Sequence, residues 1–265
     1  MVGLPDPGGE GVCRPGSNGV LRRSAAALAF AGVATTLFCM TGAPARIARL
    51  QITLDDVEPA VMRRVEVPLG IKLPELHLVI QALMPWENYH LYEFRVGRSG
   101  WGLPDPDGDF GEGPADARKV TLAELLDGTA EAAAGMAVGV AATEPLKAVK
   151  SLKYLYDFGD GWEHSIKVEA VTEALGVSYP RLLDAQGRCP PEDCGGAPGY
   201  EHYLQAIADP KHRRHAEMIV WRGPGFDPNT VDVAGIEAAL AKLARKLSPK
   251  AMKPRKHVAK PDGDS

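Results

Sequence analysis

The chain has 265 residues and a mass of 28.3 kDa, and its 45% hydrophobic content supports a packed core and excludes an intrinsically disordered protein. Its formal net charge of −4 hides an asymmetry: residues 242–265 hold eight Lys and Arg against two Asp, whereas residues 40–241 hold nineteen against thirty acids. An acidic body argues against broad non-specific adhesion to nucleic acid, while the basic stretch from Lys250 to Lys260 suits contacts with phosphates.

Residues 1–45 read as a leader unlike the rest. Met1 to Gly19 are rich in Gly and Pro, Arg22 and Arg23 precede an apolar run from Ala25 to Met40, and small residues follow. That outline is a secretory signal, which implies export. The preferred reading takes Met40 as the natural start of a cytoplasmic protein, because the Gly/Pro-rich stretch before the arginines is unusually long for a signal. The apolar run is too short for a membrane span, and none is expected in the mature domain.

From Arg46 the pattern is orderly. Ala48, Leu50, Ile52 and Leu54 alternate with polar residues, residues 55–59 turn, and Val61, Val65 and Val67 continue a second strand around Arg63 and Arg64. Pro74 opens a helix carrying Leu76, His77, Val79, Ile80 and Leu83, which ends before Pro85. Tyr89 to Val96 alternate as a strand, Gly97 to Asp116 read as a loop, and Thr121 with Glu124 forms a capping box for a short helix. The Ala/Gly-rich residues 130–142 read as a weak helix or an insert. A second long loop spans Tyr179–Pro180 and Pro190 to Gly196. Helices follow through Tyr203–Ile207 and His212–Trp221, and Val233, Ile236, Leu240, Leu243 and Leu247 form an amphipathic closing helix. The mixed order of elements predicts a single α+β domain over residues 46–247, a mostly antiparallel sheet with helices on one face, followed by a basic disordered tail, 248–265.

The most informative stretch is Tyr154 to His164. Tyr154, Tyr156 and Phe158 alternate before Gly159-Asp160-Gly161, and Trp162, His164 and Ile166 alternate after it. A three-residue loop would pair Phe158 with Trp162, Tyr156 with His164 and Tyr154 with Ile166, giving one continuous apolar face. Asp157 would then lie opposite Glu163, with Asp160 beside them. Such acids are compensated by a divalent cation, a shared proton, a basic side chain or water. Asp157, Asp160 and Glu163 are therefore the candidate catalytic and metal-ligating residues, with surface solvation as the ordinary alternative. His77, His90, Trp162, His164, Glu192 and Asp193 are binding candidates, although the expected register turns His164 toward the Tyr/Trp side, as a packed residue.

Four cysteines are too few and too scattered for a disulfide framework. Cys189 and Cys194, with His202, His212 and His215 downstream, make zinc conceivable, but the spacing fits no common finger and a reduced pair is preferred. The chain has no Gly-x-Ser-x-Gly elbow, phosphate-binding loop or dinucleotide fingerprint.

Leu76 to Gln81, Trp86 to Phe94, Tyr156 to His164 and Cys189 to Gly196 with Gly199-Tyr200, in this order and spacing, resemble the plasmid pRiA4b ORF-3-like family over roughly residues 46–245. The resemblance implies an α+β domain associated with plasmids and insertion sequences, and a start near Met40. It implies no established activity. The resolvase (TnpR) label carried by some relatives is discounted here, because Arg213-Arg214 alone is thin evidence for the nucleophile and arginine cluster a resolvase needs. Three positions depart from the family pattern: Met62 replaces a Trp, Pro85 a Gly, and Tyr92 a second histidine, so a metal site built on that histidine pair would lack one ligand. The leading expectation is a non-enzymatic accessory protein of mobile-element origin that contacts protein or nucleic acid, with the basic tail assisting. The alternative is a metal-dependent hydrolase or nuclease using the acidic hairpin tip.

Overall fold

In this computed structural model the described residues are 45–104, 113–131, 133–134 and 147–247. Residues 1–44 of the expected leader, most of the Ala/Gly-rich stretch and the basic tail lie outside them. Chain order runs β1 (Arg46–Leu54), β2 (Val61–Pro68), α1 (Leu73–Leu83), β3 (Tyr92–Val96), β4 (Ser99–Gly102), β5 (Ala115–Asp116), α2 (Leu122–Asp127) and β6 (Ala133–Ala134). It continues with β7 (Ser151–Tyr156), β8 (Trp162–Glu173), β9 (Arg181–Gln186), α3 (Gly196–Ala208), α4 (His215–Arg222) and α5 (Val233–Leu247). The sheet order is β5-β4-β3-β7-β8-β1-β2-β9, with β6 on β4, and only β4–β5 is parallel. This is the expected α+β architecture with a mostly antiparallel sheet. Among the described residues no helix is long and apolar enough to cross a membrane.

Period-two alternation divides the sheet into unlike faces. Leu50, Ile52, Val61, Val65, Phe94, Tyr154, Trp162 and Ile166 are buried and, with Leu76, Val79, Ile80 and Leu83 of α1 and Ile236 and Leu240 of α5, form the core. The other face carries ion pairs. Arg49 and Arg181 hold Glu66 at 2.9 and 2.8 Å, Arg64 reaches Glu169 and Asp184, and Lys153 reaches Asp55. Burial alone would raise the Glu66 pKa, but the two guanidiniums outweigh it and hold the carboxyl below the usual range.

Arg63 is the exception on the apolar face, at 1% exposure. Its Nε donates to the Leu83 carbonyl at 2.9 Å, and Nη1 donates to Met62 and Gln186 carbonyls at 2.8 and 2.7 Å. Burial lowers its pKa, yet a guanidinium remains charged at neutral pH. The cation thus ends α1, where carbonyls lack intrahelical partners and the helix dipole is negative, and ties that end to β2 and β9.

Four local expectations are corrected. β3 begins at Tyr92 rather than Tyr89, because Asn88 at φ +62° turns the chain and the Tyr89 N–H donates to the Tyr156 hydroxyl instead of to a strand. The Gly97–Asp116 stretch contains β4: Gly97 at φ +57° makes a two-residue turn, setting Ser99 against Val96 and Trp101 against Phe94. Ser-Gly-Trp-Gly has one large side chain and so shows no alternation. β9 lies in the second expected loop, as an edge strand on β2. Finally, the β7–β8 hairpin pairs Tyr156 with Trp162, Tyr154 with His164 and Leu152 with Ile166. Its loop is therefore residues 157–161, and Phe158 is not across from Trp162. The shift is two residues, which preserves the face of every side chain and explains why the apolar set was still legible.

His77 and His164 are both buried among aromatic rings. His77 lies flat on Tyr92 with centroids 3.8 Å apart, and its nitrogens meet the Tyr154 hydroxyl at 2.7 Å and the Asn88 amide oxygen at 2.6 Å. His164 Nδ1 meets the Trp162 carbonyl at 3.1 Å.

Two predictions follow from these buried groups. Replacing Arg63 with Met leaves three carbonyls without their donor and should cost about 3 kcal/mol in urea unfolding. Burial pushes both histidines down to about 4, whereas an unfolded histidine titrates near about 6.5. The unfolded chain therefore takes up protons first, so their contribution is complete above about pH 6.5 and is lost as pH falls toward 4. Denaturation at stepped pH should show that decline, and His164→Phe should make it shallower.

Candidate functional site

Three segments distant in sequence meet at one end of the apolar face: residues 85–91 after α1, the hairpin loop 157–161, and residues 189–196 before α3. Trp86 begins the junction. Its Nε1 donates to the Pro190 carbonyl at 3.0 Å, and its ring stacks on Tyr156 at 5.1 Å and against Trp162 at 5.7 Å.

Glu192 is buried and binds the segment after α1 and the end of β7. Its carboxylate accepts from the Tyr156 hydroxyl and from the Glu87 N–H, each at 2.6 Å, and its carbonyl accepts from Arg222. Tyr156 also accepts from the Tyr89 N–H at 3.0 Å. Burial, reinforced by the Glu192 carboxylate, pushes the phenol pKa upward, so Tyr156 serves as a fixed donor. On the other side of the hairpin loop, Asp160 accepts from the Gly195 N–H at 3.1 Å. Residue 196 must be glycine: its φ is +68°, and a Cβ there would lie 2.2 Å from the Asp160 carbonyl oxygen.

Within this frame His90 Nε2 lies 3.0 Å from Asp193 Oδ1 and 3.5 Å from Asp157 Oδ2. The imidazole stands edge-on to Tyr156, 5.8 Å between centroids. Asp157 takes a left-handed backbone, φ +55°, which an Asp side chain tolerates by bonding locally: Oδ1 accepts from the Gly159 N–H at 2.9 Å. Asp193 is also left-handed, φ +59°. Among the described residues, His90, Asp157 and Asp193 are the group of three whose ligand-type atoms lie within 4.8 Å of one another.

The candidates separate accordingly. His90, Asp157, Glu192 and Asp193 come together, and Asp160 adjoins them through Gly195. His77 borders the site through its hydrogen bond to Asn88 and a tilted ring contact with Tyr156, 6.2 Å between centroids. Trp162 and His164 belong to the core, the latter as a packed residue. Glu163 does not face Asp157: it pairs across the hairpin with Leu155, and its carboxylate bonds Arg95 and stands 3.9 Å from Lys153. The physical reason is the five-residue loop, which takes Asp157 out of the strand while Glu163 stays in it.

Tyr156 was legible only as part of the apolar hairpin face, and Glu87, Asn88 and Arg222 had no role in the pattern, yet these residues build the junction. Their only signal was Tyr156 and residues 86–94 standing inside motifs shared with a family. Cys189 and Cys194 are free, as expected. Burial pushes the Cys189 thiol up; Cys194 is pushed up to about 12 by burial and then by the Asp160 carboxylate. Both are therefore thiols rather than thiolates at neutral pH, which makes them poor nucleophiles. A cavity of about 610 Å³ adjoins the junction, lined in part by Trp86, Glu87, Cys189, Glu192, Arg222 and Phe226.

Known proteins resemble this chain in sequence and in fold. The sequence model of the plasmid pRiA4b ORF-3-like protein family matches residues 46–134 and 137–235. The uncharacterized protein y4hQ of Sinorhizobium fredii (strain NBRC 101917 / NGR234) is 47% identical over 208 residues, covering 78% of this chain and 97% of the relative. Among solved structures, a protein of unknown function from Methanosarcina mazei Go1, MM3350, has a similar fold. Its TM-score is 0.57 at 27% identity, over 72% of this chain and 97% of that one. The motifs Trp86 to Phe94, Tyr156 to His164 and Cys189 to Gly196 supply the junction, Leu76 to Gln81 lies in α1, and the chain belongs to the plasmid pRiA4b ORF-3-like family.

Proposed function

We propose that this is a non-enzymatic accessory protein, cytoplasmic and of plasmid or transposon origin, that recognises a partner protein through the junction of residues 85–91, 157–161 and 189–196. The observation that carries this reading is an apolar display on a braced platform. Tyr89, Leu91 and Phe158 are 71%, 52% and 37% exposed, and the Leu91 carbonyl accepts from the Asp157 N–H, so the segments bearing these side chains are hydrogen-bonded neighbours. Their loops are tied to the core through Glu192, Tyr156 and Trp86. Large exposed side chains on a pre-organised support, bordered by charge, are what interface hot spots use. The family's plasmid description supports the origin. Hydrolysis by Asp157, Asp160 and Glu163 acting together draws no support, because Glu163 is engaged by Arg95 outside the junction.

The test is a triple variant, Tyr89→Ser, Leu91→Ser and Phe158→Ser, compared with the parent. A protein retained by the parent from its own cell extract, and then reconstituted with it in purified form, should bind the variant at least roughly tenfold more weakly while both melt at similar temperatures. Equal binding by a folded variant places recognition elsewhere. The basic tail offers a separate contact, with nucleic acid. Binding of a DNA duplex by the full chain should fall steeply with salt and be lost on removing residues 248–265; unchanged binding by the truncated chain ends that part of the proposal.

A further inference from the structure

The junction gathers acidic side chains beside the Arg222 guanidinium. Asp157, Asp193, Glu87 and Glu192 all contribute, and the partners of the two aspartate carboxylates are His90 and the Gly159 N–H. Asp157 decides what this implies. It is only 8% exposed, its Oδ1 is taken by the Gly159 N–H, and its Oδ2 faces His90 Nε2 at 3.5 Å, within 4.8 Å of the Asp193 carboxylate. Two carboxylates that converge on one imidazole nitrogen present the mixed nitrogen and oxygen donor set of a transition-metal site.

We infer that His90 Nε2, Asp157 Oδ2 and Asp193 Oδ1 form a binding site for one divalent transition-metal ion of the Mn²⁺ or Zn²⁺ type. The spacing fits. Ligands about 2.1 Å from a common ion stand about 3.0 Å apart at right angles and about 3.4 Å apart in a tetrahedron. The two His90–Asp distances are 3.0 and 3.5 Å, and the third pair lies within 4.8 Å. Asp193 closes that last gap, because its side chain is 59% exposed and free to turn, whereas Asp157 is held by its own loop. An imidazole nitrogen with two carboxylates selects a transition ion over Ca²⁺, which takes an all-oxygen set, and over Mg²⁺, which prefers oxygen and water. The Gly159 N–H on Asp157 Oδ1 is the second-sphere bond that orients a ligand. Three protein ligands leave the solvent side of the ion open to water or to an oxyanion from a bound molecule. The ligand set replaces the expected Asp157, Asp160 and Glu163: one of the three is kept, and the other two ligands come from loops 67 and 36 residues away in sequence.

The site does not depend on the partner-protein reading, and its test is separate. Full-length protein freed of metal with a chelator is titrated with Mn²⁺, and then with Zn²⁺, by calorimetry. One ion per chain should bind, and His90→Ala and Asp157→Asn should each weaken binding at least tenfold. Glu163→Gln, outside the site, should change nothing. Asp193→Asn, at an exposed position, serves if the Asp157 variant fails to fold. Electron spin echo of bound Mn²⁺ should show nitrogen coupling that disappears in His90→Ala, which diffuse attraction to acidic groups would not produce. Absence of stoichiometric binding by folded protein overturns the inference, as does binding without nitrogen coupling or binding that survives all these substitutions.

Discussion

The Glu192 carboxylate is where the rest of the site is held. One oxygen takes the Tyr156 hydroxyl and the other the Glu87 N–H, so a residue from the loop before α3 joins the end of β7 to the segment after α1. Each bond spans tens of residues of chain, and each buries a polar group that would be costly to leave unpaired. With Glu192 in place, Tyr156 can receive the Tyr89 N–H, residues 89–91 leave the sheet, and His90 is carried to Asp157 and Asp193. Trp86 seals the same junction from the apolar side by stacking on Tyr156 while its indole N–H reaches Pro190.

A sheet with two unlike faces supports that junction. The ion-paired face around Glu66, Arg64 and Lys153 accounts for many of the charged residues, and it also absorbs Glu163, which the hairpin pattern alone had placed with the site. The apolar face is continuous from Leu50 to Trp162, and its buried cation among the described residues, Arg63, caps α1 by bonding to backbone carbonyls. Because α1 ends in a fixed place, the segment that follows it starts from a fixed place. Asn88, Asp157 and Asp193, three residues other than glycine with left-handed φ, then lie in the three converging segments. Unusual backbone gathered in one place is what a built site requires, since ordinary strand and helix geometry does not bring loops of this kind face to face.

Much of the fold was legible because it is local. Alternation in β1, β2, β7 and β8, the Thr121–Glu124 capping box and the heptad-like spacing of α5 each rest on contacts within a few residues, and these elements stand where the pattern puts them. β4 and β9 were not legible, since a Gly-rich tetrapeptide and an exposed edge strand owe their conformation to the strand beside them rather than to their own side chains. In the site, Asp157, His90, Glu192 and Asp193 were visible as chemistry, but their grouping was not. By itself the sequence determined the class of fold, the apolar face and the family, because side-chain period and motif order are properties of the chain. Only tertiary structure decided which acid faces which base: the length of the 157–161 loop depends on Asp157 bonding to Leu91 and Gly159, and a change of two residues there moves a carboxylate from strand to loop while leaving the hydrophobic pattern intact.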